Sequence, residues 1–285
     1  MVYTRKTLNL SDIQLSYLEW QTEESQNKKQ PLLLLHGLAD SALVWLSLGE
    51  YLADKYHIIA PDMRGHGESG KPENGYSFQT TIADLEELMK HLNWSSAHIL
   101  GHSWTGKLAC IWAKQNPEIF KSMILADPVF IGKMPGFMKV TFPILYRTLE
   151  TLKGMGPFDS FAEAETQAKE LGKYAGWSEF QQIVFQESIE EKADGKWGSK
   201  FVVPARNEIF EEVMRVPGLT EYIDVPTLFI QPEKGVNKSD AQIKPYYKYL
   251  RNLKLEKIPG NHWAFLVEPE KFNQIVAEFL ESFST

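Results

Sequence analysis

One serine in this chain has the sequence context of an enzymatic nucleophile. Ser103 lies in the hexapeptide GHSWTG (residues 101–106), between a short apolar run and a helical pattern. A sharp strand-to-helix turn of this kind exposes the serine hydroxyl and needs small residues on either side of it. Gly101 meets this need, whereas Thr105 stands where a second glycine is usual, with Gly106 after it. We therefore expect Ser103 to act as a nucleophile.

A histidine near the end of the chain is the expected partner of this serine. His262 follows a strand pattern over residues 253–258 and precedes an amphipathic helical pattern. A serine hydroxyl is a poor nucleophile at neutral pH, and an imidazole whose pKa lies near neutrality can accept its proton. The sequence therefore predicts that His262 activates Ser103 as a general base.

Short apolar runs that alternate with helical patterns predict the elements that position these residues. The runs lie at residues 32–35, 57–60, 97–100, 123–126 and 227–230. Runs that are apolar on both faces and bounded by turn residues are typical of buried parallel strands. The sequence therefore predicts an α/β fold with a mostly parallel, doubly wound sheet covered by helices on both faces.

One connection between these runs is too long for a simple crossover. The 100 residues from 127 to 226 separate two predicted strands, and they contain helical patterns of their own. Ser160 and Ser178 are placed as helix N-caps, and Ser178 has a glutamine three residues later, which predicts a capping box. We expect a core domain over residues 1–130 and 223–285, with a helical cap over residues 131–222.

Four short motifs, in this order, resemble the α/β-hydrolase superfamily, in the branch whose helical cap follows the sixth core strand. They are HG at 36–37, PDMRGHGES at 61–69, GHSWTG at 101–106 and PGNHW at 259–263. The resemblance covers nearly the whole chain except the cap. It implies the α/β-hydrolase fold and catalysis by Ser103 and His262, but the scaffold hosts many chemistries.

Two backbone N–H groups are candidates for an oxyanion hole. Trp104 opens the helix after Ser103, and the positive end of a helix dipole favours a developing negative charge there. The resemblance implies a second donor, the N–H of the residue that follows the His-Gly pair, which is Leu38 in this chain. We expect Leu38 and Trp104 to share this role.

The residue that would orient His262 is missing from its usual place. Relatives carry an aspartate in the turn after the strand at 227–230, where this chain has Gly235. Glycine cannot stabilise an imidazolium, so the acid must come from elsewhere or be absent. Glu233 and Asp240 are alternatives close to that turn.

Asp127 is the favoured candidate for the acid. It ends the strand at 123–126, so it emerges at the same carboxyl edge of the sheet as Ser103. The resemblance supports this choice, because haloalkane dehalogenases and some other members of the superfamily carry their acid at this point. In other relatives, an aspartate here serves only the turn.

The identity of the nucleophile favours acyl transfer. Epoxide hydrolases and haloalkane dehalogenases resemble the chain down to a tryptophan after the nucleophile, but they use an aspartate where Ser103 stands. An alkyl ester of aspartate can be hydrolysed, whereas an alkyl ether of serine cannot. We expect hydrolysis of a carboxylic ester or thioester through an acyl-serine. A carbon–carbon bond hydrolase is an alternative, as is a non-catalytic ligand receptor, a role that some relatives on this fold have.

Apolar residues of the predicted cap point to the substrate. Phe137 and Phe142 lie in an apolar stretch at residues 134–145, and Trp263 follows the predicted base. We expect these side chains to bind a small-molecule apolar acyl substrate at the boundary between cap and core. Packing against the core is the alternative for all three. No metal or organic cofactor is implied, and a single cysteine, Cys110, cannot build a cysteine-based metal site.

Charge and hydropathy limit the partners. The formal net charge is −7, which disfavours nucleic acid or an anionic membrane surface as a partner. No stretch approaches the roughly 18 consecutive apolar residues of a membrane-spanning helix. No apolar segment follows the basic N-terminal residues, so we expect a cytoplasmic protein.

Overall fold

An eight-stranded, mostly parallel sheet forms the centre of the computed structural model, which describes residues 3–20, 29–141, 144 and 155–283. The strands are β1 (Thr4–Asn9), β2 (Gln14–Trp20), β3 (Gln30–Leu35), β4 (Tyr56–Pro61), β5 (Ala97–His102), β6 (Phe120–Ala126), β9 (Thr227–Lys234) and β10 (Leu253–Asn261). Their order across the sheet is β1-β2-β4-β3-β5-β6-β9-β10. β2 is antiparallel to both of its neighbours, and every other pair is parallel.

Helices cover both faces of the sheet. They are α1 (Leu46–Leu52), α2 (Phe78–His91), α3 (Trp104–Gln115), α4 (Phe161–Lys169), α5 (Glu179–Ser188), α6 (Val203–Arg215), α7 (Asp240–Tyr249), α8 (Ala264–Val267) and α9 (Pro269–Glu281). Side chains alternate along β3, so that Leu33 packs in the core with α2 and α3 while Leu34 packs on the opposite face with α1 and α9. The predicted doubly wound architecture is confirmed. No helix within the described residues is long and apolar enough to cross a membrane.

The cap elements lie between β6 and β9. Ser160 and Ser178 cap α4 and α5 as predicted, and Ser178 forms the full capping box with Gln181. The cap is not purely helical, because β7 (Ile189–Glu191) and β8 (Trp197–Ser199) form a small antiparallel sheet. Three-residue strands are too short to show a periodic pattern, and their turn is made by Gly195 with a φ of 79°. The boundaries at residues 131 and 222 stay predictions.

The strand ends bring the candidate residues to one edge of the sheet. His102 at the end of β5 is paired with Ala126 at the end of β6. Ser103 and Asp127 are therefore the first residues beyond two neighbouring strands, and the Ser103 N–H still donates to the Ala126 carbonyl at 3.1 Å. His262 follows directly after β10 at the same edge.

We predict that Gly101→Ala destabilises the protein through the turn at the end of β5. A Cβ at this position would lie 2.5 Å from the Thr105 carbonyl oxygen, and the rigid backbone there cannot move away cheaply. Denaturant unfolding should show a loss of about 1–3 kcal/mol, the usual cost of overpacking. Gly136→Ala is the matched control, because its Cβ would meet nothing within 4 Å. Equal stability of the two variants would contradict the prediction.

Candidate active site

The backbone at Ser103 is held in a strained turn. Its φ of 61° and ψ of −120° lie in a region that side chains other than glycine rarely adopt. Strain of this kind persists only where the surrounding structure imposes it, and it is common at active sites. On the C-terminal side of the serine, Gly106 is the position with no room for a side chain. An added Cβ there would lie 2.8 Å from Pro128 Cβ.

Thr105 stands where a second glycine is usual, and the turn accommodates its side chain. Its side chain is fully buried, and its hydroxyl lies 3.0 Å from the Leu35 carbonyl oxygen and 2.8 Å from that of His102. The hydroxyl therefore bridges the end of β3 to the turn at the end of β5. The departure from the usual motif adds a polar contact beneath the serine.

A chain of hydrogen bonds joins Ser103, His262 and Asp127. His262 Nε2 lies 3.1 Å from Ser103 Oγ, and His262 Nδ1 lies 2.7 Å from Asp127 Oδ2. With its proton on Nδ1, His262 donates to Asp127 and accepts from the serine hydroxyl. This is the arrangement that removes a proton from serine and stabilises the resulting imidazolium.

Asp127 is held as a buried carboxylate by several donors. Besides His262, it accepts hydrogen bonds from the Val236 N–H at 2.8 Å and from Asn237 Nδ2 at 2.9 Å. Burial alone would raise the pKa of Asp127, but the hydrogen bonds and the charge of His262 lower it below its usual value. The group is therefore ionised at neutral pH and can act as the partner of an imidazolium.

Gly235 explains how this carboxylate fits. A Cβ on Gly235 would lie 2.5 Å from Asp127 Oδ2 and 2.9 Å from Asp127 Cγ. The carboxyl group of Asp127 thus fills the space that a side chain at position 235 would need. Glu233 and Asp240 are both exposed, and neither contacts His262.

The two expected oxyanion donors lie beside the serine. Leu38 and Trp104 line the same cavity as Ser103 and His262. Neither the Leu38 N–H nor the Trp104 N–H donates a hydrogen bond to any part of the chain that the structure describes. Both groups are thus free to bind a ligand oxygen.

The cavity above the serine has a volume of about 790 Å³ and is mostly apolar. Trp263 lines it. Phe137 does not reach it, because this side chain is 76% exposed on a 3-10 helix, Gly136–Thr141. An apolar run shows that residues can be buried, but not which of them face the pocket. Phe142 falls outside the described residues.

A buried group of charges beside the site has no motif in the sequence. Lys173 of the cap places its Nζ 2.5 Å from Oδ1 of Asp40, which follows the Leu38 turn. Asp40 Oδ2 lies 3.7 Å from Nδ1 of His102, whose Nε2 donates to the backbone carbonyl of His262 at 2.9 Å. Burial lowers the pKa of His102 to about 4, so this ring is neutral at neutral pH.

Lys173 offsets the charge of Asp40. Burial alone would raise the pKa of Asp40, but the Lys173 ammonium holds it well below its usual value. The pair thus links the cap to the turn that carries Leu38. Two charged residues 133 positions apart give no signal in a single sequence.

We predict that Asp127→Asn lowers kcat by about 10⁴-fold with little loss of stability, because asparagine stabilises the wrong tautomer of His262. Glu233→Gln is the matched control and should leave kcat unchanged, because Glu233 is exposed. Steady-state kinetics and thermal unfolding of the two variants test this expectation. Near-wild-type kcat in Asp127→Asn would show that another group orients the histidine.

The geometry further predicts that the carboxylate can be moved between two positions. Asp127 has a φ of 42°, which glycine tolerates, so Asp127→Gly should not strain the turn. In the double variant Asp127→Gly with Gly235→Asp, the new side chain enters the space vacated by Asp127. We expect it to recover part of the kcat that Asp127→Gly alone loses. Gly235→Asp alone should be harmful, because it places two carboxyl groups in one space.

For the buried pair, we predict that Lys173→Met costs about 3–5 kcal/mol of stability, because it leaves the Asp40 carboxylate buried without compensation. The double variant Lys173→Met with Asp40→Asn should be more stable than Lys173→Met alone. A double-mutant cycle in denaturant measures the coupling. Strictly additive losses would show that the two charges do not depend on each other.

Comparison with known proteins agrees with the observed fold. Residues 30–153 match a family described as having the alpha/beta hydrolase fold. A soluble epoxide hydrolase from Corynebacterium sp. (strain C12) is 35% identical over 116 residues, which are 40% of this chain and only 39% of that protein. The match therefore spans well under two thirds of this curated relative.

Solved structures match over almost the full chain. An E-2-(acetamidomethylene)succinate hydrolase has a TM-score of 0.80 at 21% identity, covering 98% of this chain and 100% of its own. A marine microorganism esterase has a TM-score of 0.72 at 27% identity, covering 93% of this chain and 98% of its own. With the sheet order, these matches show that the chain has the α/β-hydrolase fold.

Proposed function

We propose that the protein is a serine hydrolase that cleaves a carboxylic ester or a thioester through an acyl-Ser103 intermediate. One observation carries the proposal. His262 lies between Ser103 Oγ at 3.1 Å and Asp127 Oδ2 at 2.7 Å, at the wall of a large apolar cavity. This arrangement prepares an oxygen nucleophile, a base and a charge partner in one place.

In the first half of the reaction, the acyl group moves to the serine. His262 Nε2 takes the hydroxyl proton while Ser103 Oγ bonds to the substrate carbonyl carbon. The carbonyl oxygen becomes an oxyanion, which accepts hydrogen bonds from the N–H groups of Leu38 and Trp104. The tetrahedral intermediate then collapses, the carbon–oxygen or carbon–sulfur bond breaks, and the leaving group takes the proton from His262.

In the second half, water releases the acyl group. His262 removes a proton from a water molecule, whose oxygen attacks the acyl carbon. The oxyanion forms again at the same two N–H groups and collapses, returning the proton from His262 to Ser103 Oγ. The products are a carboxylic acid and the free enzyme. Asp127 stays ionised throughout and stabilises the imidazolium twice.

The nucleophile separates this proposal from the activity named for the Corynebacterium relative. An epoxide opened by Ser103 would leave an alkyl ether on the serine, and water cannot release an ether in the way it releases an ester. An acyl group on Ser103 has a carbonyl carbon that water can attack. The serine therefore favours acyl transfer within the same scaffold.

The cavity supports an apolar acyl substrate. Its lining includes apolar side chains from the segment after β6, from α6 and from the core, namely Leu38, Val129, Phe130, Ile131, Ile209, Phe210, Val213 and Trp263. Among its described lining residues, the charged side chains are Lys234 and Lys238, both exposed. An acyl chain placed against the apolar wall would have its carbonyl carbon close to Ser103. We therefore propose a small-molecule ester or thioester as the substrate.

The proposal predicts that Ser103→Ala keeps the fold and loses turnover, by about 10⁶-fold as for other nucleophiles in such triads. The wild-type protein should bind one fluorophosphonate, detected by intact mass, whereas Ser103→Ala should bind none. Ser11→Ala is a suitable control, because the Ser11 hydroxyl is exposed, donates to Glu87 and does not line the cavity. Hydrolysis of 4-nitrophenyl esters of different chain length then tests the substrate class.

Two outcomes would contradict the proposal. Undiminished esterase activity in folded Ser103→Ala would assign the chemistry to another residue. A wild-type protein that neither hydrolyses esters and thioesters nor reacts with the fluorophosphonate would instead indicate a non-catalytic binder on this fold.

A further inference from the structure

A buried lysine on the helix of the nucleophile contacts the cap. Lys107 lies four residues after Ser103 in α3 and is fully buried. Its Nζ donates hydrogen bonds to the carbonyl oxygens of Phe130 at 2.7 Å, Gly132 at 3.0 Å and Val213 at 2.5 Å. An ammonium group has three N–H donors, and all three are matched here.

These three carbonyls belong to both chain segments that join the cap to the core. Phe130 and Gly132 lie on the segment that leaves β6, and Val213 lies in the last turn of α6, which leads back to the core. The last carbonyls of a helix lack partners within the helix and favour a cation. Lys107 thus donates a hydrogen bond to a free carbonyl at the end of α6 and at the same time holds the segment that follows β6.

The aliphatic part of the Lys107 side chain passes close to Gly218, where a larger residue would not fit. An added Cβ on Gly218 would lie 2.9 Å from Lys107 Cγ and 2.6 Å from Ile131 Cδ1. The Gly218 N–H also donates to the Ile131 carbonyl at 2.8 Å, which pairs the two segments directly. The lysine and the segments that it joins therefore form one packed unit.

The same residues form a wall of the substrate cavity. Phe130, Ile131, Gly132 and Val213 all line it. Lys107 Nζ therefore bonds three residues of this wall. The catalytic groups lie on strand ends and on the start of α3, and none of their side chains bonds the three carbonyls.

We infer that Lys107 is a positioning residue that determines acyl-chain specificity by holding both cap connections against the nucleophile helix. The inference rests on the proposed esterase function for its kinetic readout. Lys107 touches no reacting atom, so its loss should weaken the binding of long acyl chains while the chemistry of a short ester continues.

The lysine also makes the wall sensitive to pH. Burial lowers the pKa of Lys107 to about 7, so the group loses a proton near neutrality. A neutral amine has two N–H donors and a lone pair, and one of the three carbonyls then loses its partner. Cys110 and Glu212 also face this group, and burial raises the pKa of Cys110 to about 12, so the thiol stays neutral throughout.

The test compares a 4-nitrophenyl decanoate with the acetate, using KM for each. We expect Lys107→Met to raise the ratio of the decanoate KM to the acetate KM about tenfold, the factor for one lost charge-assisted hydrogen bond, with kcat for acetate almost unchanged. Lys107→Gln keeps two donors and should lie between the two proteins. Phe137→Ser is the cap control, because Phe137 is exposed and away from the cavity.

Two further measurements do not depend on the variants, and the second does not depend on turnover either. In the wild-type protein, the ratio of the decanoate KM to the acetate KM should rise between pH 6 and 9. The hydrogen-exchange protection factors of the amides in residues 129–134 and 209–216, which are corrected for the intrinsic rise of exchange with pH, should also fall over this pH range. A KM ratio and protection factors that do not change with pH would overturn the inference.

The outcomes separate this inference from the proposed function. Ester hydrolysis with an unchanged KM ratio in both Lys107 variants would overturn the role of Lys107 alone. A loss of kcat for acetate as large as the loss for decanoate would also overturn it, because it would show general disruption. Absence of all ester hydrolysis and of fluorophosphonate labelling would overturn the proposed function, and the hydrogen-exchange result would then decide the role of Lys107.

Discussion

The bond between His262 and Asp127 constrains much of this structure. It joins residues 135 positions apart and requires the ends of β6 and β10 to meet at one edge of the sheet. β9 lies between these strands, so the turn that follows β9 must let the carboxylate pass. Gly235 does this because it has no side chain in the space that Asp127 occupies. A glycine in the turn after β9 and an aspartate after β6 therefore depend on each other.

Buried charge is the second constraint, and it concentrates where the cap meets the core. Lys173 is balanced by a carboxylate, that of Asp40. Lys107 is balanced by the dipoles of three carbonyls. Each lysine would be costly without its partners, so each makes one docked position of the cap more favourable than others. The cap is thereby held by directional contacts as well as by apolar packing.

Much of the core could be predicted from sequence because its signals are local. All five apolar runs lie within strands of the sheet. The turn at Ser103 follows from glycine spacing, and Asp127 is the favoured candidate for the acid because Gly235 stands in the usual place. β1 and β2 were not predicted: β1 is largely exposed and has no continuous apolar run.

The cap and its contacts could not be predicted in the same detail. β7 and β8 are too short for periodicity to register. Phe137 belongs to an apolar stretch but faces solvent, since composition does not define which side of a short helix is covered. Lys107 follows the nucleophile motif directly, yet its role depends on carbonyls up to 106 positions away. Such contacts exist only once the chain is folded.

A covalent adduct on Ser103 would be the most direct test of the proposed function. A 4-nitrophenyl carbamate would transfer a carbamoyl group that leaves a serine slowly, so that it can be located by mass spectrometry of peptides. The account predicts one carbamoyl group per chain, on the peptide that contains Ser103, with matching loss of esterase activity. A carbamoyl group on a different residue, or none on a protein that hydrolyses esters, would contradict it.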